Sequence, residues 1–108
     1  MTARLTPVVT PDDEWEGAEL SVLAEAMNDV PTTTVGVTDP VQANRARAGF
    51  ALEALLRYAA RVGGQHDGVV TVMRDLLNDL HHLADAAGAD WDEVTEMTHY
   101  HEETGGEL

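Results

Sequence analysis

The chain lacks cysteine altogether, so disulfides, thiolate metal ligands and thiol nucleophiles are excluded. It also lacks lysine: its six basic residues are all arginine and oppose twenty acidic residues, for a net charge of −14. Because neutralising phosphates requires a cationic surface, we do not expect direct binding to nucleic acid or to an anionic membrane. Serine occurs once, at Ser21, which argues against a serine-based hydrolytic triad.

Long apolar runs are missing as well. No stretch approaches the roughly 20 residues that cross a bilayer. Five acidic residues among the first twenty argue against a secretory signal or transit peptide. A chain of 108 residues is long enough to build one domain around a single core. We therefore expect one domain, spanning residues 1–108 and located in the cytoplasm.

The charge that is present is distributed unevenly. Residues 40–64 carry a net charge of +3, whereas residues 65–108 carry a net charge of −10. Nine carboxylates and four of the five histidines lie between Asp75 and Glu103, so a functional site is expected there. A GC-rich genome or a salt-loving host would also produce an acidic, lysine-free chain, and the acidity would then serve solubility rather than binding.

Helix caps and apolar periodicity predict an all-α fold, a small bundle of three to four helices. The first helix is predicted to begin at Thr10 and to fade at Asn28. Residues 31–38 are predicted to be a linker, because two pairs of β-branched residues are too few for a strand. The second helix is predicted to run from the N-cap Asp39 to Gly63.

A third helix is predicted from the N-cap Asp67 to Gly88, and a fourth from the N-cap Asp90 to Gly105. Short connections should make the second, third and fourth helices consecutive neighbours. The termini, residues 1–10 and 104–108, are expected to be flexible. The apolar stripes of the last two helices predict burial of these side chains: Met73, Leu76, Leu77, Leu80, Leu83, Ala84, Ala87, Trp91, Val94, Met97, Thr98 and His101.

Two carboxylate-x-x-histidine pairs, Asp79 with His82 and Glu96 with His99, resemble half of the ligand set of a di-iron bundle. At 100° per residue, however, both pairs point away from the apolar stripes of their helices, whereas the ligands of a bundle site must point inward together. We therefore expect no metal site inside the bundle. The same four residues remain a weak alternative set of metal ligands. A surface metal site that uses His81, His82, Asp85 or His99, including one between two subunits, is a further weak alternative.

The stretch DLLNDLHHLADAAGADWDEVTEMTHYHEE covers about a quarter of the chain and resembles small helical proteins encoded by bacteriophages, plasmids and bacterial genomes. That group shares a DLxxDLxH…D…GxDWD/FD…HY pattern. The resemblance implies an accessory protein of a mobile element. The matching residues are Asp75, Leu76, Asp79, Leu80, His82, Asp85, Gly88, Asp90, Trp91, Asp92, His99 and Tyr100.

The shorter stretch LLNDLHHLADAAGADWDEV is distantly similar to the helical hairpin of the all-α nucleotide pyrophosphohydrolases. That family binds Mg²⁺ through an E-x-x-E pair on one helix and an E-x-x-D pair on the next. Here Glu16 and Glu19 offer the first pair, but another helix intervenes before Asp75 and Asp79. Those two aspartates are four residues apart instead of three, and the chain has no lysine for phosphates.

These observations favour a non-enzymatic protein that presents an acidic helical face to a basic partner protein, including as a mimic of nucleic acid. This hypothesis needs no metal or cofactor, and it is compatible with either a monomer or a homodimer. The runner-up is a divergent Mg²⁺-dependent nucleotide pyrophosphohydrolase, and the third alternative is a scaffold whose acidity reflects its host. The residues expected to contact the partner are Asp75, Asp79, His82, Asp85 and Glu96.

Overall fold

The computed structural model describes residues 3–9 and 17–105, with the side chain of Thr98 excepted. Within these ranges the fold is all-α, as predicted, and an isolated antiparallel bridge links Glu19 to Gly68. None of the helices described is long and apolar enough to cross a membrane. The helices are α1 (Leu20–Ala26), α2 (Pro40–Val62), α3 (Val69–Ala87), α4 (Trp91–Val94) and α5 (Thr98–Glu103).

Helix α2 has the bounds that its sequence predicts. The side chain of Asp39 accepts a hydrogen bond from the backbone N–H of Val41 at 3.0 Å, and Pro40 occupies the first helical position. Gly63 ends the helix at φ 82°, a left-handed conformation that glycine adopts without steric cost, and its N–H bonds to the carbonyl of Ala59. Residues 31–38, the predicted linker, form neither helix nor strand.

The predicted start of the first helix is wrong over residues 17–19, which are described and are not helical. Thr10 lies outside the described residues, and α1 begins only at Leu20. Gly17 has a φ of 72°. A Cβ at Gly17 would lie 3.0 Å from the side chain of Val69, so the close approach of the chain to α3 requires glycine.

Helix α3 ends at Gly88 as predicted, but the prediction of Asp67 as its N-cap is wrong. The N-cap is Gly68, which has no side chain to offer. Instead, the N–H of Val69 donates to the carbonyl of Ala18 at 2.7 Å, and the N–H of Leu20 donates to the carbonyl of Asp67 at 3.0 Å. The extended backbone before α1 therefore accepts the hydrogen bond of the first N–H group of α3, which has no partner within the helix.

The core lies where α1 crosses the hairpin of α2 and α3. It consists of Leu20, Leu55, Ala59 and Val72. Helix α1 has 7 residues and α3 has 19, which correspond to lengths of about 10 Å and about 28 Å. Because α1 is so short, it covers only the first part of α3.

The predicted joint burial of Leu76, Leu80, Leu83 and Trp91 is therefore wrong, because of these four only Leu76 packs against the core. Leu80 is 38% exposed and Leu83 is 62% exposed, while Trp91 is half-buried. Met73 and Leu77, in the same apolar stripe of α3, are also more than half exposed. The stripe is apolar as the sequence indicates, and Leu76 and Ala84 within it are covered, but Met73, Leu77 and Leu83 stay more than half exposed among the described residues.

The predicted fourth helix is two short helices, α4 and α5. Its N-cap is confirmed, because Asp90 accepts hydrogen bonds from the backbone N–H groups of Asp92 and Glu93 at 2.8 and 3.3 Å. The hydroxyl of Thr95 donates to the carbonyl of Trp91 at 2.8 Å, a local bond that competes with helix continuation. The predicted burial of two apolar residues after this cap is wrong: Val94 and Met97 are more than half exposed.

Residues near both termini pack on the first half of α2. The side-chain amide of Asn44 donates to the carbonyls of Ala3 and Glu103, each at 3.0 Å. Arg47 pairs with the carboxylate of Glu103 at 3.3 Å. Ala3 and Thr104 are buried, so these segments contribute to the packing around α2.

Candidate functional site

The predicted contact residues are exposed, and four of them lie on α3. Asp75, Asp79, His82 and Asp85 fall within about 120° of one another around the helix axis, and we call this set the acidic face. The fifth residue, Glu96, is exposed in the connection between α4 and α5 and does not belong to α3. The structure therefore brings most of the predicted contact residues onto one surface.

One member of the acidic face also holds two helices together. The hydroxyl of Tyr58 on α2 donates a hydrogen bond of 2.5 Å to Oδ2 of Asp79. This bond to the carboxylate, with some burial and the charges of Asp79 and Asp75, raises the pKa of Tyr58 to about 12. The sequence does not indicate this contact, because helical periodicity places Tyr58 on the apolar side of α2 and Asp79 on the outer side of α3.

Glu19 was a candidate metal ligand, and its carboxylate is engaged by two neighbours. The hydroxyl of Ser21 donates to Oε1 of Glu19 at 2.7 Å, and Nδ1 of His66 lies 2.8 Å from the same oxygen. The hydrogen bond from Ser21 and the contact with His66 lower the pKa of Glu19. The predicted companion of Glu19, Glu16, lies outside the described residues.

The four residues of the weak metal alternative, Asp79, His82, Glu96 and His99, do not converge. Across residues 3–9 and 17–105, no group of three or more histidine and acidic side chains is placed to hold a metal ion. Instead, Nδ1 of His99 lies 3.8 Å from Oε2 of Glu102, which is three residues further along the same helix. Within the described part of one chain, these four residues therefore do not form a shared set of metal ligands.

A ring stack connects α3 to α4. The rings of His81 and Trp91 are parallel to within 4°, with centroids 4.4 Å apart. The turn at residues 88–90 reverses the chain, which places the first residue of α4 beside the last turns of α3. The short turn is the only sequence signal for this contact, since neither residue type by itself predicts it.

An apolar groove with a volume of about 330 Å³ opens between α1, α2 and α3. Its α3 side chains, Met73, Leu77 and Leu80, lie about 180° around the helix from His82. The groove and the acidic face are thus on opposite sides of α3. The groove is lined by Leu23, Met27, Ala48, Ala51, Leu52, Leu55, Val69, Met73, Leu76, Leu77 and Leu80.

Comparison of the chain with protein-family models, with curated proteins and with solved structures finds no match. The two resemblances drawn from the sequence therefore stay predictions. The function has to be argued from the two surfaces of α3.

Proposed function

We propose that this chain is a non-enzymatic interaction protein, of the kind carried by mobile elements, which presents an acidic helical surface to a basic protein partner in the cytoplasm. The observation that carries the proposal is the exposure of Asp75, His82 and Asp85 along one side of α3. Charged surfaces of this kind steer an oppositely charged partner and raise its association rate. A protein that normally binds nucleic acid is the natural candidate, because it already has a basic groove.

The placement of the arginines supports this proposal. Two arginines of α2 pair within the chain, Arg45 with Asp29 at 3.9 Å and Arg47 with Glu103 at 3.3 Å. Arg74 is the one arginine between residues 65 and 108, against eleven acidic residues. The negative charge of α3 and of the segment that follows it is therefore not balanced by cations from the same part of the chain.

Capture from the native host at low and at high salt tests the proposal. We expect a basic protein to be retained at low salt and released at high salt, since screening weakens attraction between exposed charges. The variant D75K/D85K should slow association of the captured protein while the fold is unchanged. Asp79 is left intact in this variant because it binds Tyr58.

A matched control is the double variant E53K/E102K, which makes the same change of charge at two exposed positions outside the acidic face. It should slow association much less than D75K/D85K. Equal effects of the two variants would show that only total charge matters. Unchanged association with D75K/D85K would show that the acidic face is not the contact surface.

A further inference from the structure

We propose that the apolar groove between α1, α2 and α3 binds one amphipathic, basic helix of the partner, whose leucine-like side chains fill the groove. This inference rests on the proposed function, since it assigns the partner's chemistry. The acidic face would attract the partner and the groove would hold it. The two roles predict different kinetic effects, so each can fail without the other.

The chemistry of the groove favours a helix over a small ligand. Every lining residue is alanine, valine, leucine or methionine, whereas sites for small molecules combine an apolar wall with a few polar groups that orient the ligand. An amphipathic helix needs no such groups, because its apolar side chains at positions i, i+3, i+4 and i+7 are the anchors. Met27 and Met73 add flexible side chains that adapt to such anchors.

The dimensions of the groove agree with this occupant. Its walls run from Ala48 to Leu55 on α2 and from Val69 to Leu80 on α3, seven and eleven residues apart. The walls are therefore about 10 Å and about 16 Å long, which corresponds to about two and three helical turns. Two turns of a partner helix present three or four apolar side chains on one side.

The charges around the groove favour a basic helix over a second copy of this chain. Met27 at one edge lies two residues from Glu25, which is exposed, and two residues from Asp29, whose charge is already partly offset by Arg45 at 3.9 Å. The acidic face lies behind the opposite wall, one helix diameter of about 10 Å away, which is comparable to the screening length of about 8 Å at physiological salt. A second copy would add another net charge of −14, whereas lysines flanking an apolar stripe would be attracted.

The methionine methyl groups of the full chain report on the groove directly. The probe is a synthetic 18-residue helix with leucine on one side and lysine on the other. Its control is a scrambled peptide of the same composition without an apolar side. With the methionine methyls labelled with ¹³C, we expect the Leu/Lys peptide to shift the signals of Met27 and Met73. The signal of Met97, which is exposed before α5, should stay in place.

A pair of leucine variants provides the matched control. Leu77 lines the groove and is 53% exposed, whereas Leu83 is 62% exposed on the same helix and does not line it. Because both side chains are largely exposed, replacing either should leave the fold intact. L77Q should raise the dissociation rate of the Leu/Lys peptide about tenfold, with little change in association rate, and L83Q should change neither rate by more than about twofold.

Each other outcome overturns a defined part of the proposal. If the scrambled peptide binds equally well, or if Met97 shifts in place of Met27 and Met73, the groove is not the site, while the acidic face can still bind. If the signals of Met27 and Met73 change on dilution of the protein alone, a second copy occupies the groove. If D75K/D85K leaves the association rate of the Leu/Lys peptide unchanged while L77Q raises its dissociation rate, the groove is the binding site and the acidic face does not attract the peptide. If neither peptide binds, the groove proposal fails, and the acidic face is decided separately by the captured partner and the variant D75K/D85K.

Discussion

Removing a core leucine should cost far more stability than removing a leucine from the predicted apolar stripe of α3. Leu20 is 0% exposed and contacts the other core residues, whereas Leu83 is 62% exposed. Full burial of a leucine contributes about 1.5–3 kcal/mol, and the cavity left behind brings the cost of a core Leu→Ala change to about 2–5 kcal/mol. With 38% of its surface covered, Leu83 should contribute only about 0.6–1.1 kcal/mol on the same scale, without a cavity term.

Urea unfolding followed by circular dichroism measures these differences. We expect Leu20→Ala to lower the free energy of unfolding by about 3 kcal/mol, with Leu80→Ala intermediate at about 1–2 kcal/mol, because Leu80 is 38% exposed. Leu83→Ala serves as the control on the same scale. A loss at Leu83 equal to that at Leu20 would refute the assignment of the core, since it would require an element that covers this part of α3.

Three further predictions concern individual contacts. In an ultraviolet pH titration, the pKa of Tyr58 should be about 12, and Asp79→Asn should lower it towards 10. The stability that this hydrogen bond contributes is present below about pH 10 and is lost as the pH rises through 12. By carboxyl NMR, the pKa of Glu19 should lie below its usual range, and Ser21→Ala should raise it. The stability that the contacts of Glu19 contribute is present above the usual glutamate pKa and is lost as the pH falls through the lowered value. In urea unfolding, Gly17→Ala should cost more than about 1–2 kcal/mol, because a positive φ and a close contact both oppose the added methyl.

Controls for these predictions come from the same chain. Gly36 also has a positive φ but open space around it, so Gly36→Ala should cost only the backbone strain; a larger loss at Gly36 than at Gly17 would contradict the close contact. An ordinary tyrosine pKa in the unmodified protein would show that Tyr58 and Asp79 are not bonded in solution. If Ser21→Ala leaves the pKa of Glu19 unchanged, the hydroxyl is not its main partner.

The bounds of α2 and the end of α3 could be predicted from the sequence, because they depend on local interactions. Asp39 bonds to an N–H two residues later, and Gly63 and Gly88 end their helices with backbone conformations that their own lack of a side chain allows. The exposure of Asp75, His82 and Asp85 could also be predicted, since the 3.6-residue period separates them from the apolar stripe. Whether Asp79, His82, Glu96 and His99 could share a metal ion depends on distances between separate helices. The spacing of residues along the sequence does not give those distances.

Tertiary structure decided which part of the apolar stripe of α3 became core and which part became groove. Periodicity shows that Val72, Leu77 and Leu80 favour a dry environment, but it does not show which element reaches them. Val72 is buried because α1 crosses α3 at that point, while Leu77 and Leu80 lie beyond the end of this short helix. The backbone bonds between residues 18–20 and 67–69 set that crossing, and they join parts of the chain almost fifty residues apart, where local sequence preferences have no influence.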